Sequence, residues 1–453
     1  MTLKKGLFAF LCSSILCLSA CSSSDSVNSA GDNGGEGGGG GGGNGGTPSD
    51  VPLSPSANAA ATQGLYDTWK GFHYVNMATE SSYYASIAGD FGSVFGAYDG
   101  SSVGRVIWST QNTGYYKQRC VVQGSTDPGM KFRGCTVSEG IGYGMLISYF
   151  QGDDAVFNSL WNYTKAERAY YQTKLMPWIT YTFHYETIDG SSATDADLDI
   201  ATSLILMSRR TGNQEYLNDA LTFINAIWDT EVNPSTLLLY SGNTSMWTGA
   251  NPTYNLSYFA PAALRLFAEV DGAHDWNGVI NNMYAYMKQV QANGTGVFPD
   301  WSDAAGVAAN PPNQSAGTSE EDYTWYTFNK ESVRIPWRIA WDYYWNKSQD
   351  AADVLNKLNA FIVEKSGGDP NSAALGTSYS WNTSLGPDKP ANAVAVQWLG
   401  AWCLTGIAGN SGWLQACTDA FNAQPMQTSG SSYFPNILQM MFSQLLNGKY
   451  IRQ

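Results

Sequence analysis

The chain has 453 residues and a formal charge of −14, from 24 Lys and Arg against 38 Asp and Glu. This acidic excess argues against nucleic-acid binding, because neutralising phosphates requires clustered basic side chains. The three histidines, His73, His184 and His274, are scattered along the sequence, which argues against a histidine-rich metal site and a Ser-His-Asp hydrolase. We therefore expect no bound metal ion, no cofactor and no nucleic-acid partner.

The N-terminus has the pattern of a bacterial lipoprotein signal. Two lysines precede an apolar run over residues 7–20, which is too short to span a bilayer. The run ends in Leu18-Ser-Ala-Cys21, a pattern typical of a lipobox, where a diacylglyceryl group is attached to the cysteine. We expect residues 1–20 to be removed and the exported protein to be held at the bacterial cell envelope only by a lipid on Cys21. An ordinary secretory signal that contains a cysteine is the alternative.

A polar segment separates Cys21 from the rest of the chain. Residues 21–56 are almost all Ser, Gly, Asp, Asn and Pro, with seven consecutive glycines at 37–43. This composition cannot form a hydrophobic core and is typical of a flexible tether. Because no second linker interrupts residues 57–453, we predict one large domain there.

Four cysteines remain in this domain: Cys120, Cys135, Cys403 and Cys417. In an exported protein they would be able to form two disulfide bonds, and four cysteines allow three different pairings. The pairing of neighbours along the chain, Cys120 with Cys135 and Cys403 with Cys417, is the one that we predict. The alternative is that these residues are free, buried thiols.

Hydrophobic periodicity predicts an all-α domain of about twelve helices. Residues 198–207 are apolar nearly all round, as expected of a helix buried on every side, whereas residues 213–228 carry one apolar face. An inner helix followed by an outer helix, repeated six times, forms an (α/α)6 barrel. An open helical-repeat array is the alternative, but it would require a fixed repeat period, which is absent. The predicted helices are 61–78, 139–151, 153–173, 195–209, 213–228, 257–270, 275–292, 330–346, 349–365, 392–407, 411–423 and 433–447.

Carboxylates occur at the start of two of the helices that are predicted to be buried. Glu139 lies beside three glycines, which let a ligand approach the backbone closely. Asp195 and Asp199 are four residues apart and share one helix face, with Asp197 turned away. Capping and the helix dipole would account for Glu139 alone, but three acids at one helix start exceed what capping requires. These two helix starts are therefore candidates for a functional site.

Two motifs resemble those of a known enzyme family. Residues 193–206, which include Asp195 and Asp197, resemble the signature of glycoside hydrolase family 8. Residues 138–145, Ser-Glu-Gly-Ile-Gly-Tyr-Gly-Met, resemble the general-acid motif of that family. The resemblance covers residues 60–450 and implies an (α/α)6 barrel and inverting hydrolysis of β-1,4-linked glycans in a long open cleft. Further matches in the family's order are Leu175-Met-Pro-Trp178, Asn255-Leu-Ser-Tyr258-Phe-Ala-Pro261-Ala, Pro299-Asp-Trp301 and Arg334-Ile-Pro-Trp337-Arg338-Ile-Ala-Trp-Asp-Tyr343.

The resemblance implies catalytic roles for individual residues. It implies that Glu139 is the general acid that protonates the leaving glycosidic oxygen, and that Asp195 binds the sugar at the bond being cut. Glu331 stands where endoglucanases of the family usually carry an aspartate general base, three residues before Arg334. Other members place the base in an inserted loop, and a surface ion pair with Lys330 is a further interpretation of Glu331. The loop alternatives are Glu320, Glu321 and Asp322.

Aromatic residues suit sugar binding, because the apolar C–H faces of sugar rings stack on aromatic rings. The chain has 16 Trp and 27 Tyr. By the resemblance, Trp178, Trp247 and Tyr258 line the cleft, and Arg334 orients the base or a sugar hydroxyl. Two further tryptophans in matching motifs fit the cleft less well, Trp301 and Trp337.

These residues predict a monomeric endo-β-1,4-glucanase whose substrate is a β-1,4-glycan polysaccharide, either cellulose or mixed-linkage β-glucan. Members of the family divide among several polymers, so a chitosanase or a xylanase is the alternative within it. From a different class, a non-catalytic glycan-binding surface lipoprotein would keep the barrel and lose the general base. The intact general-acid motif argues against such a binding protein.

Overall fold

The computed structural model describes residues 59–76, 102–108, 135–180, 187–312, 324–428 and 432–452. The predicted signal, the predicted lipidation site Cys21 and the tether over residues 21–56 lie outside these ranges. Also outside them are His184, Cys120, Glu320, Glu321 and Asp322. Within the described ranges, no helix combines the length and the apolar character needed to cross a bilayer.

Twelve α-helices of at least nine residues account for most of the regular structure in these ranges, and they correspond one to one to the predicted helices. The helices are α1 (Ala59–His73), α2 (Ser138–Gln151), α3 (Asp154–Tyr171), α4 (Thr194–Thr211), α5 (Gln214–Glu231), α6 (Pro261–Val270), α7 (Trp276–Asn293), α8 (Ile335–Asn346), α9 (Gln349–Ser366), α10 (Val396–Leu404), α11 (Ser411–Asn422) and α12 (Tyr433–Leu446).

Several helix boundaries differ from the predicted ones for identifiable reasons. α1 ends at His73 rather than at residue 78, because the chain continues as a strand. α6 begins at residue 261 rather than 257, and α8 at 335 rather than 330, each after a single 3₁₀ turn. Both helices carry a proline in their first turn, and proline lacks the backbone N–H that a longer helix would need there.

Six helices form a closed inner ring. In the order α2, α4, α6, α8, α10 and α12, each helix contacts the next, and α12 contacts α2. Each inner helix also packs against an outer one. The outer helices α3, α5, α7, α9 and α11 follow their inner partners in the chain, whereas α1 packs against α12. The predicted (α/α)6 barrel is confirmed, and its first helix is the outer partner of its last.

Burial separates the two layers as the apolar pattern predicts. In α4 every residue from Thr194 to Ser208 is buried, whereas α5 buries one face. Gly212 ends α4 with a φ of 71°, and the side chain of Asn213 accepts a hydrogen bond from the backbone N–H of Glu215 in α5. Glycine adopts this left-handed conformation without strain, and asparagine is a favoured N-cap residue. Local sequence therefore separates the inner helix from the outer one.

Three small antiparallel sheets lie between helices in the described ranges. The first pairs β1 (Tyr74–Asn76) with β2 (Gly104–Val106). The second has the order β3 (Thr136–Val137), β4 (Ile179–Thr180) and β5 (Thr187–Asp189), and the third pairs β6 (Thr253–Tyr254) with β7 (Ser302–Asp303). β3 leads directly into α2, and β5 precedes α4 by a few residues. The second sheet thus ties together the entries to the two helices that carry Glu139 and Asp195.

One disulfide bond connects an inner helix to its outer partner. Cys403 in α10 is bonded to Cys417 in α11, which confirms that predicted pairing. Cys135 is also disulfide-bonded rather than a free thiol, and its predicted partner Cys120 lies outside the described residues. The pairing of Cys135 with Cys120 stays a prediction.

Candidate active site

Four inner helices begin around one point in the barrel. Glu139 is the second residue of α2, Asp195 is the second residue of α4, Arg334 immediately precedes α8, and Tyr433 begins α12. A helix N-terminus carries a partial positive charge, which favours carboxylates at such positions. The helix starts thereby bring together residues that are as many as 294 positions apart in the sequence.

Arg334 links the three predicted catalytic carboxyl groups. Its Nη1 donates to Oε2 of Glu139 at 2.5 Å and to Oδ2 of Asp195 at 3.1 Å. Its Nη2 donates to Oε2 of Glu331, and Nη1 also donates to the hydroxyl oxygen of Tyr143 at 3.2 Å. Because a guanidinium group is planar and always charged, it holds these partners in a defined arrangement. The structure therefore brings Glu139, Asp195 and Glu331 into one cluster.

The spacing of Glu139 and Glu331 is limited by their shared partner. Their Oε2 atoms are bonded to two nitrogens of one guanidinium group, so they are within about 8 Å of each other. In inverting glycosidases the two carboxyl groups are roughly 6.5–9.5 Å apart, which leaves room for a water molecule. The arrangement around Arg334 is compatible with that spacing.

Access to solvent differs among the three carboxyl groups. The side chain of Glu139 is 19% exposed and that of Glu331 is 9% exposed, whereas that of Asp195 is 1% exposed. The second carboxyl oxygen of Glu139, Oε1, accepts a hydrogen bond from the hydroxyl of Tyr433 at 2.9 Å. Glu139 is thus the acid that a ligand reaches most readily, while Asp195 lies deeper.

Burial favours the protonated forms of Glu139 and Asp195. It raises the pKa of Glu139 above its ordinary value and raises the pKa of Asp195 to about 7. The charges of Arg334 and Arg338 act in the opposite direction but do not outweigh the effect of burial. Repulsion from Glu331 also raises the pKa of Glu139. A carboxyl group that keeps its proton above the ordinary pKa is suited to general-acid catalysis.

Glu331 is buried rather than on the surface, and one of its carboxyl oxygens accepts two hydrogen bonds. Besides its bond to Arg334, its Oε2 accepts a hydrogen bond from Nδ2 of Asn255 at 2.7 Å. The amide of Asn255 is itself oriented, because its Oδ1 accepts hydrogen bonds from the backbone N–H and the hydroxyl of Ser257. Asn255 lies in a matching motif, but the motif alone did not indicate this role.

A cleft with aromatic walls opens over Glu139, Asp195, Glu331 and Arg334. It encloses about 720 Å³, part of which is open to solvent. Among the predicted stacking residues, Trp178, Trp247 and Tyr258 all line it, as do Trp108 and Trp301. The rings of Trp247 and Trp301 are stacked, with centroids 5.3 Å apart and an angle of 10° between their planes.

The two tryptophans that fitted less well lie in different places. Both are almost completely buried, but Trp301 borders the cleft, whereas Trp337 lies in the core and packs edge to face on Tyr143. The residues at the site that were not predicted include Trp108, which follows β2, and Tyr433. No motif pointed to Trp108, but Tyr433 begins an inner helix, and this position would have been a usable signal.

The remaining acids of the α4 motif have structural partners. Asp199 and Arg338 form an ion pair that is completely buried, and Arg338 also donates to the carbonyl of Ser257 at 3.2 Å. This pair ties α4 to α8 below the cleft. Asp197 points away from Asp195, as its spacing predicts, and accepts a hydrogen bond from the backbone N–H of Met176. Within the described ranges, no group of three or more His, Cys, Asp or Glu side chains is arranged to hold a metal ion.

Comparison with known proteins assigns the barrel and its motifs to a family. The profile of the family described as "Glycosyl hydrolases family 8" matches residues 101–449. The chain belongs to this family. Endoglucanase 2 of Ruminiclostridium josui is 31% identical to this chain over 338 residues. The aligned region covers 70% of this chain and 64% of that protein. The chain thus spans less than two thirds of that relative.

Two further comparisons cover more of the matched proteins. The β-glucanase of Niallia circulans is 29% identical to the family 8 chain, over 66% of this chain and 78% of that protein. The apo structure of a β-1,3-1,4-glucanase from Paenibacillus sp. X4 has a TM-score of 0.66 and 20% identity, and covers 89% of this chain and 99% of that one. At 20% identity, this structural similarity supports the assignment of the fold alone.

Proposed function

We propose that this family 8 chain is an inverting endo-β-1,4-glucanase that cleaves cellulose or mixed-linkage β-glucan. One observation carries the proposal: Glu139, Asp195 and Glu331 meet around Arg334 at the floor of an aromatic cleft. The names of its relatives, endoglucanase and β-glucanase, support β-glucan as the substrate class.

In the proposed reaction Glu139 is the general acid. It gives its proton to the glycosidic oxygen while the bond between this oxygen and the anomeric carbon breaks. A water molecule attacks that carbon from the opposite face, and Glu331 accepts a proton from the water. The new hydroxyl group therefore has the configuration opposite to that of the bond that was cut. The exposure of Glu139 and Glu331 towards one cleft supports this division of roles.

The other cleft residues are proposed to bind and orient the sugar. Asp195 lies beside Glu139 and binds the sugar at the bond being cut. Arg334 orients Glu331, to which it is bonded, and Trp178, Trp247 and Tyr258 stack on sugar rings. Aromatic stacking suits a neutral glycan, which offers apolar ring faces and no charge.

The proposal is tested by measuring new reducing ends from several polymers. The purified protein, its Glu139→Gln variant and a Glu167→Gln control are incubated with carboxymethylcellulose, lichenan, xylan and chitosan. Glu167 is a buried glutamate in α3 and is not among the described residues that line the cleft. We expect the wild type and the control to cleave carboxymethylcellulose or lichenan, and Glu139→Gln to lose about 10²–10⁴-fold of this activity while remaining folded.

Other results would replace parts of the proposal. Cleavage of chitosan or xylan alone would identify a chitosanase or a xylanase, and no cleavage of any polymer would favour a glycan-binding protein. A fully active Glu139→Gln variant would contradict its role as general acid. NMR of the first-formed anomer tests inversion.

The assignment of the general base needs its own comparison. We expect Glu331→Gln to lose activity and Glu320→Gln, Glu321→Gln and Asp322→Asn to keep it. The opposite pattern would assign the role of general base to Glu320, Glu321 or Asp322.

We also propose that the chain is an exported, lipid-anchored monomer. The Leu18-Ser-Ala-Cys21 sequence and the tether that follows it support the export and the lipid anchor. We expect a bacterial host that expresses the full chain to incorporate labelled fatty acid into the wild type and none into Cys21→Ser. Unlabelled wild type released into the medium would contradict the lipid anchor. Light scattering on the detergent-solubilised protein measures its mass and tests whether it is a monomer.

A further inference from the structure

We propose that Asp300 is a positioning residue that holds Glu331 in place for catalysis. The inference rests on the proposed function, because it takes Glu331 to be the general base, and it adds a residue to which no role has been given. Asp300 is completely buried and is not among the described residues that line the cleft. It therefore acts through Glu331 rather than by touching the substrate.

The carboxyl group of Asp300 binds the chain on both sides of Glu331. Its Oδ1 accepts hydrogen bonds from the backbone N–H of Asn329 at 3.0 Å and from the backbone N–H of Ser332 at 2.9 Å. The hydroxyl of Ser332 donates to the same oxygen at 2.7 Å. One oxygen atom thus fixes the turn that precedes α8 and presents Glu331 to the cleft.

Asp300 is itself anchored to the wall of the cleft. Its backbone N–H donates to the carbonyl of Trp325 at 3.1 Å. The next residue, Trp301, stacks on Trp247, and the chain then enters β7, which pairs with β6. Asp300 therefore connects the part of the cleft wall that contains Trp301 to the turn that carries Glu331. A shift of about 1 Å in a catalytic group can cost roughly 100-fold in rate, so we expect the loss of this connection to slow the reaction.

The three hydrogen bonds to Asp300 leave its second carboxyl oxygen, Oδ2, unused. No described group forms a hydrogen bond with Oδ2, and burial together with the nearby charge of Glu331 raises the pKa of Asp300 to about 7. A proton on Oδ2 leaves Oδ1 free to accept. Asparagine offers the same acceptor without the charge, so Asp300→Asn separates the hydrogen bonds from the charge.

A graded series of variants tests the proposal on β-glucan. Asp300→Ala removes all three hydrogen bonds, Ser332→Ala removes the one from the hydroxyl, and Asp300→Asn keeps the acceptor. We expect kcat to fall about 10- to 100-fold in Asp300→Ala, less in Ser332→Ala and least in Asp300→Asn, with KM changed by less than about threefold. If Asp300→Ala does not fold, the other two variants carry the comparison.

A double variant tests whether Asp300 acts through Glu331. Once Glu331→Gln has removed the base, adding Asp300→Ala should lower the residual activity by less than about twofold. An undiminished further loss, or a full kcat in folded Asp300→Ala, would overturn the proposal.

Amide hydrogen exchange provides a test that does not require activity. We expect faster exchange over residues 329–334 in Asp300→Ala and in Ser332→Ala, and unchanged exchange over α5. Acceleration throughout the protein would assign Asp300 to general stability and overturn the positioning role. If the wild type cleaves no glycan, the proposed function fails, while the exchange experiment still shows whether Asp300 holds the turn.

Discussion

Two sets of buried carboxyl groups in this barrel differ in what surrounds them. The cleft acids, Glu139, Asp195 and Glu331, share the guanidinium group of Arg334 and line the cleft. The enclosed acids have other partners and do not belong to the described cleft lining. They are Glu167, Asp197 and Glu231.

Burial alone does not distinguish the two sets. It raises the pKa of Asp195 to about 7, but it also raises the pKa of Glu231 to about 7 and that of Glu167 to about 8. The enclosed Glu231 accepts a hydrogen bond from the hydroxyl of Ser192, and burial and Glu231 together raise the pKa of Asp197. A raised pKa therefore marks burial, whereas access to the cleft and a shared arginine mark the candidate active site.

The largest expected effect comes from the ion pair that supports the cleft acids. Asp199→Ala leaves Arg338 charged and unpaired in the core, and we expect it to lower the free energy of unfolding by about 3–5 kcal/mol, measured by urea denaturation. The double variant Asp199→Leu/Arg338→Met removes both charges and should lose less. An equal loss in both would show that packing, rather than the unpaired charge, dominates.

A substitution of Arg334 tests whether its forked side chain is needed to hold the three cleft acids in place for catalysis. Lysine in Arg334→Lys keeps the charge but lacks the two separate nitrogens that bond to Glu139 and Asp195 on one side and to Glu331 on the other, so we expect kcat to fall by about 100-fold. Arg265 binds Asp342 through two nitrogens outside the described cleft lining, and Arg265→Lys is the matched control. Equal kcat values for Arg334→Lys and Arg265→Lys would show that catalysis does not depend on the contacts of Arg334 with the cleft acids.

The enclosed acids should control how stability changes between about pH 4.5 and 8 rather than turnover. The folded-state pKa of Glu167, about 8, exceeds the unfolded value, so its contribution to stability is complete below about pH 4.5 and is lost as the pH rises through 8. Relative to Glu167→Gln, the wild type should lose at most about 1.4 kcal/mol per pH unit between pH 5 and 8. Urea denaturation across this range measures the difference, and parallel curves would contradict it.

The smallest expected effect extends the comparison to the aromatic residues. Trp247→Ala removes a cleft ring, and we expect KM for β-glucan to rise about two- to tenfold. Trp337→Phe changes a ring in the core and should lower stability while leaving KM unchanged. A KM that rises only in Trp337→Phe would reverse the roles of the two residues.

Much of the site can be recognised from short sequence motifs. The motifs around Glu139 and Asp195 are long enough to identify the family, and the order of matches placed Glu331 three residues before Arg334. The motifs did not show that Arg334 bonds to all three acids, or that Asp300 and Asn255 hold Glu331. Apart from the bond between Arg334 and Glu331, these contacts join residues 29 to 195 positions apart, and local pattern carries no information about such pairs.

By itself, the sequence determined the helices, because apolar periodicity, prolines and helix-ending glycines act within a few residues of one another. All twelve predicted helices are present, and the turn at Gly212 and Asn213 separates inner from outer as expected. Only the tertiary structure decided that α1 is the outer partner of α12, and that Trp301 borders the cleft while Trp337 lies in the core. Those outcomes depend on which distant surfaces meet when six inner helices close around a buried arginine.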